Sequence, residues 1–349
     1  MKDKVAVKVE KCKAEEVRRR LKALGVLDDG FKPMKCEGYV FFPVKYAEGL
    51  NDILGNYSFE VVTICLEERE KKPRSLREIL EKILPRDLHQ YIPSSIDLVG
   101  SIALIDIPEE LEDYKEDVGR AVMTIYPHVE AVFSKEGETI GDYRIRSLKL
   151  VVGKPKTETI YREHGCIYKL DLSKVFFNPR MSGERLRIAL KIKENECILD
   201  MFAGVGPFSI LIAKKNPSVK VVAVEINPEA YNFLLDNIKL NGVSDRVEAV
   251  KGDVRDVLRE CGEVFDRVIM DLPFKALEFL DLALKIVKRD GIIHLYHVEE
   301  GVNVVDKASG RILMEAEKMN HEVEVIYSHE VLEVAPRKFI VVLDLVKRK

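Results

Sequence analysis

Asp200-Met201-Phe202-Ala203-Gly204-Val205-Gly206-Pro207-Phe208-Ser209 is the stretch on which the fold turns. It closes an apolar run over 197–201 that reads as a buried strand, and a helical pattern follows it. Glycines at 204 and 206 allow a tight turn and close backbone approach to a ligand. A dinucleotide-binding turn would continue with Gly or Ala at position 209, where this chain has Ser. Pro207 suits a first helical turn but removes an amide donor from the place where a pyrophosphate would be held. The stretch therefore favours a nucleoside ligand without a pyrophosphate, namely S-adenosylmethionine (SAM).

Downstream, strand patterns over 219–224, 247–250, 267–270, 292–296 and 339–345 alternate with helical ones. Such alternation predicts a doubly wound sheet with a mainly parallel centre, which binds ligands beyond the carboxyl ends of its strands. Three strand ends then carry suitable chemistry. Glu225 lies 21 residues beyond Gly204 (225 − 204) and could accept both hydroxyls of a ribose, or simply cap the next helix. Asp253 could accept from an adenine amino group, or serve as a helix N-cap. Asp271-Leu272-Pro273-Phe274 partly matches the Asp/Asn-Pro-Pro-Tyr/Phe of methyltransferases that act on nucleobase nitrogens; its alternative is an ordinary turn.

Upstream, two small α+β modules are expected. The first spans residues 1–70, with Val5, Val7 and Val9 alternating as a strand and a helix over 14–24. A charged linker ending at Pro73 leads to the second, residues 74–152, whose first helix opens on the capping pair Ser75 and Glu78. Residues 153–349 form the third block. The net charge of −3 does not announce a nucleic-acid binder, but the charge is uneven. Residues 193–349 hold 22 basic and 27 acidic side chains, whereas 144–191 holds 12 basic and 4 acidic, a local excess of +8. Those cations are interleaved with Tyr143, Tyr161, Tyr168, Phe176 and Phe177, a pattern suited to RNA backbone contacts and base stacking.

Taken together, Phe177-Asn178-Pro179-Arg180, Gly183-Glu184-Arg185, the 200–208 stretch and Ile226-Asn227-Pro228 resemble the archaeal and eukaryotic tRNA (guanine-37-N1) methyltransferase family. The likeness covers essentially the whole chain. It implies a class I SAM-dependent methyltransferase (Rossmann-like) domain behind two small α+β modules, the first recognising the outer corner of tRNA. The second module and the methyltransferase domain would grip the anticodon stem-loop. By position, the resemblance makes Glu184 the base for guanine N1, Arg144 the cation at O6, and Asp271 a third catalytic group. It places Arg180, Arg185, Phe202, Gly204, Gly206, Glu225, Ile226, Asp253 and Pro273 around SAM. Phe176, Asn178, Pro179 and Arg146 would meet the RNA. Two departures matter: Phe176 stands where relatives often have Tyr, and Asp271 where Asn is usual. Ionised Asp only accepts hydrogen bonds, so Asp271 could share the base role.

The rest of the composition narrows the field. No apolar run approaches the roughly 20 residues of a membrane span. The six cysteines, at 12, 36, 65, 166, 197 and 261, form no CxxC pair, which argues against a zinc ribbon and for a reducing cytoplasm. His128, His294 and His297 show no ligand spacing, so no metal is expected. A cytoplasmic monomer acting on tRNA is the expectation. The alternatives are methylation of an exocyclic amine in another nucleic acid, methylation or aminocarboxypropyl transfer on a wye-base precursor, and a non-catalytic RNA-binding protein with a SAM-like fold.

Overall fold

The computed structural model describes the whole chain except residues 70–72, 141, 142, 144, 260, 261 and 263, and except the side chains of 138–140 and 146. The chain divides into two compact units, Met1–Arg74 and Ser75–Lys349.

In the first unit, β1 (Lys2–Glu10), β2 (Met34–Cys36), β3 (Tyr39–Pro43) and β4 (Phe59–Leu66) form an antiparallel sheet in the order β2-β3-β1-β4. Helices α1 (Ala14–Ala23) and α2 (Leu50–Leu54) supply Val17, Leu21, Leu50 and Leu54 to a core shared with Val7, Val9, Val40 and Phe42. The alternation of β1 and the helical spacing of α1 thus converge on one interior.

The second unit opens with α3 (Leu76–Leu80), capped where Ser75 Oγ accepts the Glu78 N–H at 3.2 Å. Strands β5 (Ile96–Val99), β6 (Ile102–Ile105), β7 (Ala131–Ile140) and β8 (Ile145–Gly153) pair in sequence. Only β6 and β7 run parallel, joined through α4 (Lys115–Ile125). A hairpin of β9 (Glu158–Glu163) and β10 (Cys166–Asp171) follows. Its two-residue turn is His164-Gly165 with φ of 47° and 82°, the double positive-φ geometry that matches strand twist.

The remainder is a seven-stranded sheet flanked by helices. Its strands are β11 (Cys197–Asp200), β12 (Lys220–Glu225), β13 (Val247–Lys251), β14 (Phe265–Met270), β15 (Val287–Glu300), β16 (Val323–Ala335) and β17 (Lys338–Lys347). The helices are α5 (Ser182–Lys191), α6 (Pro207–Lys215), α7 (Pro228–Asn241), α8 (Val254–Val257), α9 (Ala276–Ile286) and α10 (Val304–Lys318). The order β13-β12-β11-β14-β15-β17-β16 is parallel through β15, and β17 is antiparallel to both neighbours. Order reverses at β11, so the crevice beyond its carboxyl end is the topological switch point. The family-implied class I methyltransferase architecture is what the topology displays.

In the second unit β8, the β9–β10 hairpin and β16 have no counterpart in the sequence reading; in the first, β2 and α2 have none. Strand β8 and the hairpin lie in the basic stretch, where charge hid a two-residue alternation. In β16 the polar residues outnumber the buried ones because it is the sheet's edge.

Helix α7 holds the hairpin by side-chain amides. Asn237 accepts the Lys169 N–H at 2.7 Å and donates to the Lys169 carbonyl at 3.0 Å. Asn241 does the same to Ile167, at 2.9 and 2.6 Å. Four residues of helix rise about 6 Å and two residues of strand about 6.7 Å, so the two spacings agree. At the other end, the N-cap Asn227 donates to the Lys174 carbonyl at 2.9 Å.

Gly206 illustrates a packing constraint beside the predicted ligand turn. Its φ is 90°, and a Cβ there would lie 2.6 Å from Leu234 Cδ1 and 2.8 Å from Ile210 Cδ1. Gly206→Ala is expected to cost about 1–3 kcal/mol through strain and overpacking. A urea or thermal midpoint lowered accordingly is the check.

Candidate active site

A cleft of about 1020 Å³ opens beyond the ends of β11–β14. Phe202, Gly204, Glu225, Ile226, Asp253 and Asp271 all line it. So do Phe176, from the segment before α5, and Lys135 and Tyr143, from the β5–β8 module and its last turn. Sequence-distant predictions from three strand ends therefore meet in one place.

Glu225 is only 8% exposed, yet it is anchored rather than orphaned. Its Oε2 accepts the Gly204 N–H at 2.6 Å and its Oε1 the Asn227 N–H at 2.7 Å. Burial pushes its carboxyl upward, and the backbone N–H groups of Asn227, Gly204 and Ile226 oppose that. Asp253 caps α8 by accepting from the Arg255 N–H at 2.8 Å, and its ion pair with the Arg255 side chain holds it below the usual carboxylate range. Asp253 is therefore the N-cap of α8 and at the same time one of the residues that line the cleft.

The glycine turn decides between cofactor classes. The Gly204 amide is spent on Glu225, the Gly206 amide on the Ala203 carbonyl at 2.8 Å, and Pro207 has none. No cradle for a pyrophosphate remains at these three positions. Carboxylates at Glu225 and Asp253 beside Phe202, Ile226 and Phe279 suit a ribose and an adenine instead. The residues fit a SAM-sized nucleoside.

Several family-implied residues take other places. Gly206 and Pro273 are not among the cleft-lining residues; Gly206 packs on α7, and the buried Pro273 gives its carbonyl to Val298. Arg185 is 2% exposed, with Nε and Nη2 donating to Glu163 at 2.6 and 2.8 Å, and Nη1 donating to the Asn178 carbonyl at 3.1 Å. It braces the Asn178 turn rather than reaching the cleft. Arg180 lines an adjoining hollow of about 480 Å³ with Asn178, Pro179 and Phe176, its Nε 2.6 Å from Asp97. Arg144 lies outside the described residues, as does the Arg146 side chain.

Glu184 sits behind the cleft residues, its side chain 8% exposed. Its Oε2 accepts from the Tyr296 hydroxyl at 3.1 Å, and both oxygens receive the Arg187 Nε–H, at 3.1 and 2.9 Å. His329 Nε2 lies 3.2 Å from Oε1. Burial, then the charges of Glu184 and Asp271, push the Tyr296 hydroxyl well above its usual range, which places both carboxylates in one electrostatic neighbourhood.

Sequence reasoning missed Asp200. It is 1% exposed, its Oδ2 accepts the Ser209 hydroxyl at 2.6 Å and its Oδ1 is buried with no hydrogen-bond partner. Burial raises it to about 7. Lys135 and Tyr296 also escaped notice, because neither sits in a recognisable motif. Much of the basic stretch is paired: Lys149, Lys154, Lys169, Lys174, Arg180, Arg185, Arg187 and Lys191, eight of its twelve cations, each meet a carboxylate, although only the Arg185 and Arg187 side chains, 2% and 15% exposed, are withdrawn from solvent. The local excess of +8 is therefore partly offset by carboxylates outside the stretch, at Glu136, Glu130, Glu229, Asp97 and Asp344.

Three family models match in order along the chain. They are the tRNA methyltransferase 5 N-terminal domain over 6–48, the TYW2 N-terminal domain over 76–157 and the TRM5/TYW2 methyltransferase domain over 159–326. The tRNA (guanine(37)-N(1))-methyltransferase Trm5b of Pyrococcus abyssi is 40% identical over 97% of this chain and 98% of its own length. The chain belongs to the tRNA (guanine-37-N1) methyltransferase family. Within that family, the crystal structure of the Pyrococcus abyssi Trm5b covers 99% of this chain and all of its own, with a TM-score of 0.78 and 39% identity. A structure described as the complex of aTrm5 and tRNALeu covers the same shares, with a TM-score of 0.76 and 35% identity. That of Methanocaldococcus jannaschii Trm5 with adenosine covers 99% of each chain, with a TM-score of 0.66 and 34% identity. A sister activity is also similar: a tRNA(Phe) (4-demethylwyosine(37)-C(7)) aminocarboxypropyltransferase of Pyrococcus horikoshii is 35% identical over 78% of this chain and 96% of its own.

Proposed function

We propose that this chain is a SAM-dependent tRNA (guanine-37-N1) methyltransferase that acts beside the anticodon. The observation that carries this reading is the full-length likeness to a tRNA (guanine(37)-N(1))-methyltransferase, in which all three modules match in order. SAM, when bound, supplies an activated methyl group on a sulfonium centre. Glu225 would hold the ribose, Asp253 the adenine amino group, and Phe202 and Ile226 the apolar faces. Asp271, Phe176 and Tyr143 would face the target base, which must leave its stack to enter the cleft.

Protonated guanine N1 is a poor nucleophile, so a base must take its proton as the methyl approaches. Glu184 is assigned that proton, and Arg144 the negative charge developing on O6. The second module and the methyltransferase domain would hold the anticodon stem-loop, and residues 1–70 the outer corner of the tRNA. No helix among the described residues is long and apolar enough to cross a membrane.

The test is incubation of unmodified tRNA transcripts, carrying G37 or another base there, with labelled SAM. The expected product is 1-methylguanosine from G37 transcripts alone, identified by mass spectrometry. Label on an exocyclic amine, or no transfer, would overturn the assignment. A wye-base reading is the alternative: the middle module matches a TYW2 model and the aminocarboxypropyltransferase is similar. The Asn178-Pro179-Arg180 and Gly183-Glu184-Arg185 motifs favour methyl transfer over that reaction. An aminocarboxypropyl adduct on a wyosine precursor would select it.

Asp271→Asn addresses the second carboxylate. If Asp271 shares the base role, the variant should transfer methyl about tenfold more slowly or more, with an altered pH–rate profile. An unchanged single-turnover rate and profile would remove Asp271 from proton transfer.

A further inference from the structure

Behind Glu184 runs a continuous series of mostly buried polar groups drawn from α5, β14, β15, β17 and the turn before β11. Arg187 shares its Nε–H with both Glu184 oxygens, while its Nη1 and Nη2 donate to Asp344 of β17 at 2.6 and 3.1 Å. Asp344 also accepts from Lys191 at 2.9 Å and from His294 Nδ1 at 2.6 Å. His294 Nε2 lies 2.8 Å from Arg267 Nη1, and Arg267 forks onto Glu196 at 2.9 Å through each of Nε and Nη2.

These contacts fix the protonation pattern. A guanidinium can only donate, so His294 Nε2 accepts and its one proton sits on Nδ1, facing Asp344. Burial agrees, lowering His294 to about 4. Along this run three carboxylates, Glu184, Asp344 and Glu196, meet three cations, Arg187, Lys191 and Arg267. Asp344 is 1% exposed and Arg267 1%, so neither can swing toward solvent. Arg187 is thereby clamped from behind, and its Nε–H is aimed at Glu184.

We propose that Arg187 is a positioning residue for proton abstraction: anchored on Asp344, it holds the Glu184 carboxylate at a fixed orientation behind the cleft. The proposal rests on the reading of Glu184 as the base. Neither the motif reading nor the cleft includes Arg187; its role comes from the chain of contacts alone.

The test is single-turnover methyl transfer by Arg187→Gln, Glu184→Gln and the double variant, with affinities for SAM and tRNA measured alongside. Arg187→Gln should slow the chemical step by at least about tenfold, a part of the 10²–10⁴ that a base supplies. Both affinities should stay within about twofold, and Arg187→Gln should cost nothing further on the Glu184→Gln background, because it acts through that carboxylate. Arg187→Lys keeps a cation for Asp344 but has no Nε–H for Glu184; it should be slow as well, and it guards against misfolding of the Gln variant. Full rate in either Arg187 variant with a slow Glu184→Gln overturns this proposal alone. So do losses that multiply in the double variant, or a loss confined to SAM or tRNA affinity. Full rate in Glu184→Gln removes the base reading and this proposal together, and no transfer by the unaltered enzyme removes the function assigned to the cleft.

Discussion

Glu184→Gln is expected to lower single-turnover methyl transfer by about 10²–10⁴-fold while leaving SAM and tRNA affinity near normal. The amide keeps the volume and an acceptor for Tyr296 and Arg187, but it cannot take the guanine N1 proton. Because Glu184 contacts Arg187, Tyr296 and His329, none of them assigned to SAM, its loss should leave cofactor binding intact. Rapid-quench assays with labelled SAM, paired with calorimetric titration, separate the two quantities. Lost SAM affinity at an unchanged chemical step would assign Glu184 to the cofactor instead.

Arg185→Gln should act on the fold rather than on the chemistry. Glu163 and Arg185 form a two-pronged ion pair with side chains 4% and 2% exposed, and the substitution strands the carboxylate without a charge partner. Breaking such a pair costs about 3–5 kcal/mol, a shift of several hundredfold or more in the folding equilibrium. Arg185 also ties the Asn178 carbonyl, so the segment that carries Phe176 should loosen with it. Urea titration of the full chain checks the stability, and Glu163→Gln together with Arg185→Met should recover much of it. A variant as stable as the natural chain, with weakened SAM binding, would return Arg185 to the cofactor.

The contrast between these adjacent residues shows what could be read in advance. The cofactor half was legible because its chemistry is local: glycines, Glu225 and Asp253 each lie directly after an apolar strand, and a strand end in a parallel sheet has one place to point. The proton-transfer half was not. Arg185 and Arg187 look alike as residues of a basic stretch, yet one is spent on β9 and the other on β17, 157 residues away in the case of Asp344. Charge summed along the chain cannot see such partners. It counted as an unpaired excess cations that largely meet carboxylates, two of them, Arg185 and Arg187, away from solvent. Edge strand β16 was missed for a related reason: burial on one face only dilutes its apolar pattern.

The amides along α7 make that helix a common gauge for both sides of the cleft. Its N-cap, Asn227, is set by Glu225, which belongs to the cofactor half. Asn227, Asn237 and Asn241 grip Lys174, Lys169 and Ile167, the segment that leads into Phe176 and Asn178 on the opposite wall. With the roles proposed for the two walls, a shift of α7 would pass to both at once, so one helix would set the spacing between methyl donor and acceptor base. The same amides occupy the outer hydrogen-bonding edge of β10, leaving no open strand there to recruit another chain.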